Sequence, residues 1–207
     1  MLPPMTLKTL KQLTRLMVGL YIYGWGIALM VHASIGIAPW DVFAQGISVQ
    51  TGLSFGISSV VVSLLVLVSW IPVGVKALGI GTILNGIFIG VFCDLSMPFL
   101  PSLPNLPSQY LSFVAGIVVV AFATGLYISS NLGSGPRDGL MVGLSRRMGR
   151  PLWIIRTAVE ATVLLIGWLM GGQVGFGTII FAVAIGPLMQ ASLKFFKYPT
   201  KRDVELA

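Results

Sequence analysis

Ser34-Ile35-Gly36-Ile37-Ala38-Pro39-Trp40-Asp41-Val42-Phe43-Ala44-Gln45-Gly46-Ile47-Ser48 is matched, 97 positions later, by Asn131-Leu132-Gly133-Ser134-Gly135-Pro136-Arg137-Asp138-Gly139-Leu140-Met141-Val142-Gly143-Leu144-Ser145. Gly, Pro, Asp, Gly and Ser coincide at five of these fifteen positions, where chance supplies about one. With a one-residue slip, Gly79-Ile80-Gly81-Thr82-Ile83 falls on Gly175-Phe176-Gly177-Thr178-Ile179, and Gly90 on Gly186. The chain therefore reads as a duplicated unit. Repeat one covers about 13–97 and repeat two about 110–196; a Pro-rich external connection at about 98–108 joins them and a cytoplasmic tail, 197–207, follows.

Outward from the repeat, the composition decides the solvent. Of 207 residues 56% are apolar and 9% charged, with a mean hydropathy of +0.93. A soluble domain carries about a quarter charged residues, so a water-facing surface cannot be built from this chain. No Asp, Glu, Lys or Arg occurs from Val42 to Val75, from Leu95 to Pro136 or from Ala161 to Leu193. Each run accommodates one or two spans of about 20 residues. The expected fold is all-α: a polytopic membrane protein with six spans, at Leu16 to Val31 and at about 57–75, 77–97, 109–131, 154–171 and 176–196. The first apolar run would also suit a signal peptide ending at Val31-His32-Ala33, but its partner segment later in the chain favours a span. A soluble enzyme, a nucleic-acid module and a large extramembrane domain are excluded.

The net charge of +7 serves as an orientation signal. Six spans from an internal N-terminus put Lys8, Lys11, Arg15, Lys76, Arg137, Arg146, Arg147, Arg150, Lys194, Lys197, Lys201 and Arg202 on the cytoplasmic side. Five or seven spans would put one of these clusters outside. Each repeat then crosses the membrane three times, and an odd number forces the second copy upside down. Inverted repeats of this kind recur in secondary transporters, whose sites lie where short, Gly/Pro-interrupted elements of the two halves meet.

The motif itself predicts a helix start. Pro39 and Pro136 suit a first helical turn, and Asp41 and Asp138 follow where a carboxylate favours the positive end of the helix dipole. Gly36 and Gly133 end the preceding span or permit close backbone approach. The apolar stretches that follow are too short to span, so re-entrant or broken helices are expected where protein or water covers their backbone. Read functionally, two helix N-termini face a shared cavity and take up an anionic group, with Asp41 and Asp138 as capping, proton-coupling or cation-coordinating carboxylates. Read structurally, these are interfacial helices whose Pro and Asp serve only as start signals. Trp40 and Arg137 break the symmetry, as an outer aromatic belt and an inner positive side would.

Arg156 and Glu160 stand one turn apart in the fifth span and can pair at i,i+4. Unpaired, a charge at the bilayer centre costs about 2.5 to 3.5 kcal/mol on insertion scales. Their counterparts in repeat one are Ser59 and Ser63, so the pair belongs to one half. Arg156 can also snorkel to the headgroups; Glu160 lies deeper and is the foremost single intramembrane candidate. His32 and Asp94 fall near the outer ends of their spans and read as interfacial residues. The single Cys93 and single His leave no cysteine framework and few metal ligands; no metal and no cofactor is expected. No P-loop, nucleotide fingerprint or Ser/His/Asp arrangement occurs.

At Gly36 to Ser48 and at Gly135-Pro136-Arg137-Asp138-Gly139-Leu140-Met141, the chain resembles the bacterial YczE-like family of integral membrane proteins, grouped with the YyaS and YitT proteins. The resemblance covers nearly the whole chain. It implies a multi-pass protein of the bacterial cytoplasmic membrane, with both termini cytoplasmic by the charge argument, and brings no substrate or functional residue with it.

The resulting expectation is a secondary transporter or permease for a small polar or anionic solute, bound between the repeats by Asp41, Asp138, Glu160, Arg156 and Arg137. Its partners are the lipid bilayer and the solute, not nucleic acid; a homodimer or a partner protein stays open. One rival is the substrate-binding subunit of an ATP-driven transporter. Another is a non-transport accessory or scaffold that engages a partner enzyme through Arg146, Arg147, Arg150, Lys194, Lys197, Lys201 and Arg202. An intramembrane enzyme is not expected, because no nucleophile and base converge in a recognisable spacing.

Overall fold

The computed structural model describes residues 7–75 and 79–197; Lys76, Lys201, Arg202 and the tail beyond Lys197 lie outside them. All regular structure among the described residues is helical: α1 (Leu7–Ala33), α2 (Pro39–Thr51), α3 (Phe55–Val73), α4 (Ile80–Ser96), a 3-10 turn (Met97–Phe99), α5 (Leu106–Ile128), α6 (Pro136–Met148), α7 (Leu152–Leu169) and α8 (Phe176–Phe195). Six helices, α1, α3, α4, α5, α7 and α8, are long and apolar enough to cross a membrane. At 13 residues each, α2 and α6 reach only about 20 Å at 1.5 Å per residue and cannot.

Boundaries differ from the sequence expectation where polar groups find partners. α1 is already helical at Leu7, the first described residue and well before the apolar run, and its polar turns lie against the ends of α5 and α8. There Gln12 donates to the Ser130 carbonyl at 2.9 Å, and the Arg15 guanidinium sits 5.3 Å from the Phe196 ring centre. α5 starts at Leu106, inside the Pro-rich stretch, because Asn105 caps it: the Asn105 side chain accepts from the Ser108 N–H at 3.0 Å. The prolines ahead of it are satisfied by a 3-10 turn and extended backbone rather than by a full helix.

α1 and α5 form the centre of the bundle and approach closely where Gly26 of α1 meets Gly116 of α5. α4 flanks α1 and α8 flanks α5. Each short helix packs on a long helix from the other half of the chain: α2 on α7, and α6 on α3. Small residues permit this, since Gly46 faces Gly167, and the Trp70 indole of α3 closes over Gly139 of α6. Exposed apolar side chains such as Trp153, Leu165, Trp168, Leu169, Ile179 and Val183 form a surface suited to hydrocarbon rather than water.

The two halves repeat the same backbone exceptions. Positive φ occurs at Ser34 and Asn131, Gly36 and Gly133, Gly52 and Gly149, and Gly74 and Gly171, each pair 97 positions apart. The connecting hydrogen bond also recurs: the Gly177 N–H donates to the Ile35 carbonyl and the Gly81 N–H to the Leu132 carbonyl, both at 2.8 Å. Each motif is thereby tied to the start of the last helix of the other half.

One difference between the halves is large. α3 and α4 pack closely: the Gly56 and Gly90 backbones touch, and Asp94 accepts from the Gly56 N–H at 2.7 Å and from the Ser54 hydroxyl. At the equivalent positions stand Trp153, Gly186, Gln190 and Pro151. There α7 and α8 stay apart, a groove runs between them, and a Cβ added at Gly186 would meet nothing within 4 Å.

The docking of the motifs predicts a graded cost for alanine. Gly133 has φ +133° and a Cβ there would approach the Thr82 hydroxyl to 2.6 Å, whereas Gly149 has φ +61° and open space. Gly149→Ala is expected to cost about 1 kcal/mol, from backbone strain alone. Gly133→Ala adds the collision, for about 3 kcal/mol in total. Unfolding of the purified protein in detergent measures both; equal losses would show that the motif is not docked in this way.

Candidate functional site

α2 and α6 begin inside the bundle, not at its surface. Their first residues, Pro39 and Pro136, are buried, and a Cβ on Gly86 of α4 would lie 3.3 Å from Pro136. Proline supplies the φ of a first turn and brings no N–H that would need a partner. The residues before them, Ala38 and Gly135, offer no capping side chain. Two helix N-termini, each a partial positive charge, thus open into one interior space.

The two starts are joined by charge. Arg137 reaches from α6 to Asp41 of α2, with Nη1 at 3.2 Å and Nη2 at 3.3 Å from Oδ1, and its guanidinium lies 5.4 Å from the Trp40 ring centre. Asp41 is 3% and Trp40 6% exposed. The sequence reading of Trp40 as an outer belt residue and Arg137 as a positive-side residue is corrected here. The residues that break the repeat's symmetry stack on one another in the interior, because each half supplies one partner of a cation–π and ion-pair cluster. On the α6 side, the Trp70 indole donates to the Pro136 carbonyl at 3.0 Å and holds the start of that helix.

Around this junction lies a cavity of about 100 Å³, reached by Tyr23 of α1, Asn85 of α4, Thr124 and Tyr127 of α5, and both helix starts. Gly135 keeps it open: a Cβ there would stand 3.3 Å from Asn85 Oδ1, 3.5 Å from the Tyr127 hydroxyl and 3.6 Å from Asp138 Oδ2. Asp138 forms no ion pair among the described residues, whereas Arg156 and Glu160 pair at 2.9 Å as their spacing predicts. That pair lines both the cavity and the groove between α7 and α8, and its counterparts Ser59 and Ser63 line the cavity from α3.

All five charged candidates, Asp41, Asp138, Glu160, Arg156 and Arg137, therefore share one cavity, with Pro39 and Pro136 at its wall. Gly36 and Gly133 lie behind it and hold the motifs against α8 and α4. His32 and Asp94 are elsewhere, the first bonded to the Pro101 carbonyl at 2.9 Å and the second at the start of α3. Sequence reasoning missed Asn85, Tyr127 and Thr124. Asn85, an amide in the middle of the membrane-length α4, carried a usable signal, since buried polar groups are expensive in a membrane; Tyr127 and Thr124 carried none.

The Arg137–Asp41 pair predicts strong coupling. Removing one partner of a buried pair costs about 3–5 kcal/mol; the expectation here is about 3 kcal/mol for Asp41→Asn, the lower end, because Arg137 retains partial exposure. Asp41→Asn combined with Arg137→Gln should lose far less than the sum of the single changes in a double-mutant cycle read by unfolding. Additive losses would dismiss the pair as a stabilising element.

A family model described as a family of unknown function (DUF6198) matches residues 10–194. The chain is 39% identical over 180 residues to an uncharacterized protein of Haemophilus influenzae, covering 87% of this chain and 82% of that one. It is 35% identical over 177 residues to the uncharacterized membrane protein YczE of Bacillus subtilis, covering 84% and 82%. It is 27% identical over 176 residues to the uncharacterized protein YyaS of the same organism, covering 83% and 87%. No solved structure matches it. With six membrane-length helices and a relative named as a membrane protein, the chain is an integral membrane protein, and it belongs to the DUF6198 family.

Proposed function

We propose that the protein is a secondary permease for a small polar solute, bound where α2 and α6 meet. One observation carries the reading: two short helices, one from each half, start face to face inside the bundle around a polar cavity. A folding device needs the helix starts but has no use for a cavity. The repeats are inverted in the membrane, which agrees with the recurrence of positive φ and of the cross-half hydrogen bond. The cations support an orientation in the bacterial cytoplasmic membrane with both termini inside. Lys8, Lys11, Arg15 and Lys197 gather where the ends of α1, α5 and α8 meet, and Arg147 reaches the Pro72 carbonyl at the end of α3. No catalytic step is assigned to any residue.

The unequal halves support alternating access. On the outer side α3 and α4 are latched through Asp94, Ser54, Gly56 and Gly90. On the inner side the groove between α7 and α8 shares Arg156 and Glu160 with the cavity, so solute enters from the cytoplasm in this state. Exchange of the two arrangements, with α7 and α8 closing while α3 and α4 part, exposes the same cavity to the outside.

Cysteine labelling tests this in a Cys93→Ala background, with a membrane-impermeant maleimide applied to vesicles of either orientation. Gly186→Cys is expected to react from the cytoplasmic side and Val60→Cys to stay protected from outside. Removing one hydrogen bond to a charged group, as Asp94→Asn does, should raise Val60→Cys labelling by about tenfold and lower that of Gly186→Cys. Labelling that ignores vesicle orientation, or stays fixed when the latch is weakened, would refute alternating access.

A further inference from the structure

The charge inventory of the cavity specifies the solute more narrowly, on the reading that this cavity is the permease's site. Asp41 is engaged by Arg137 and Glu160 by Arg156, so both pairs are internally neutral. Besides neutral amide and hydroxyl groups such as those of Asn85, Ser59 and Ser63, two groups stand out. Asp138 has no ion-pair partner among the described residues, and the Trp40 indole N–H, on a residue 6% exposed, has no acceptor. Both residues line the same cavity, the indole nitrogen lying covered at its wall.

These leftovers have opposite requirements. A carboxylate facing Asn85 and Tyr127 across Gly135 needs a cation or a donor. An indole N–H at the start of α2, where the helix dipole is positive and Asp41 is already committed, needs an acceptor. A solute with an ammonium group alone leaves the indole unsatisfied; one with a carboxylate alone meets the repulsion of Asp138. We infer that the cavity binds a small zwitterion, its ammonium on Asp138 and its carboxylate on the Trp40 N–H. Its ammonium answers the one carboxylate that the two ion pairs leave over, and the cavity of about 100 Å³ limits the solute to a few non-hydrogen atoms. The aromatic faces of Tyr23 and Tyr127, set edge to face at 6.2 Å, suit the ammonium end. From the sequence, the expectation is a small polar or anionic solute at the helix N-termini, with Asp41 and Asp138 as capping, proton-coupling or cation-coordinating carboxylates.

The test uses the full chain in detergent and three probes: glycine as zwitterion, tetramethylammonium as cation only, and acetate as anion only. Binding is read by calorimetry. A zwitterion should bind at least about tenfold more tightly than either single-charge probe. Asp138→Asn should abolish the preference over acetate. Trp40→Phe, which keeps an aromatic ring beneath Arg137 while removing the N–H with the five-membered part of the indole, should abolish the preference over tetramethylammonium. Thermal unfolding of each variant checks that it is folded. Equal affinity for a single-charge probe, unchanged preference in folded Asp138→Asn and Trp40→Phe, or no binding of any probe would overturn the inference. Counterflow in proteoliposomes separates it from the permease reading: a zwitterion that binds but is not exchanged refutes transport and leaves the site, whereas cysteine labelling that alternates without zwitterion binding refutes the site and leaves the permease.

Discussion

The ion pair between Arg137 and Asp41 is the contact on which the interior depends. It joins the starts of two helices that belong to different halves and would otherwise present two positive ends, free backbone donors and a carboxylate to a low-dielectric space. In such a place an isolated charge is prohibitive, and a paired one is tolerable only with good geometry and further partners. Here those partners are the face of Trp40, the buried indole of Trp70 on the Pro136 carbonyl, and the two prolines that remove N–H groups in need of acceptors. The cluster is thus a way of keeping two helix ends inside a membrane protein without leaving them unsatisfied.

The packing around it follows from small residues. α2 can lie on α7 only because Gly46 and Gly167 let the backbones approach, and α6 can lie on α3 only because Gly139 makes room for Trp70. Lipid supplies no hydrophobic drive for association of helices, so close contact and hydrogen bonding have to provide it. Where the glycines face one another, as Gly56 and Gly90 do, two helices close. In the other half Trp153 stands at the position of Gly56, α7 and α8 stay apart beside Gly186, and the interior gains an opening. The equivalent contact is present in one half and absent from the other.

Much of this was legible in the sequence. Charge-free runs, cation placement and the 97-residue repeat located six spans and two short helices, since hydropathy and proline and glycine rules act locally. The i,i+4 spacing of Arg156 and Glu160 identified an ion pair that forms within a single helix. Trp40 and Arg137 were assigned to opposite surfaces because belt and positive-side rules assume that each helix start lies at its own interface. Nothing local announces that the chain folds both starts inward. Tyr127 and Thr124 were invisible for a related reason: on a helix as apolar as α5, a Tyr or Thr reads the same whether it faces lipid or a cavity.

The sequence by itself determined that the protein is helical, membrane-embedded and built twice over, because these properties depend on composition and on periodicities within single segments. Only the tertiary structure decided that Asp41 is consumed by Arg137 while Asp138 has no counter-ion among the described residues, and that α3 and α4 close while α7 and α8 stay apart. Both depend on which side chains from distant segments fall within a few ångströms of each other, and the sequence differences between the two copies do not by themselves say which partners those side chains meet.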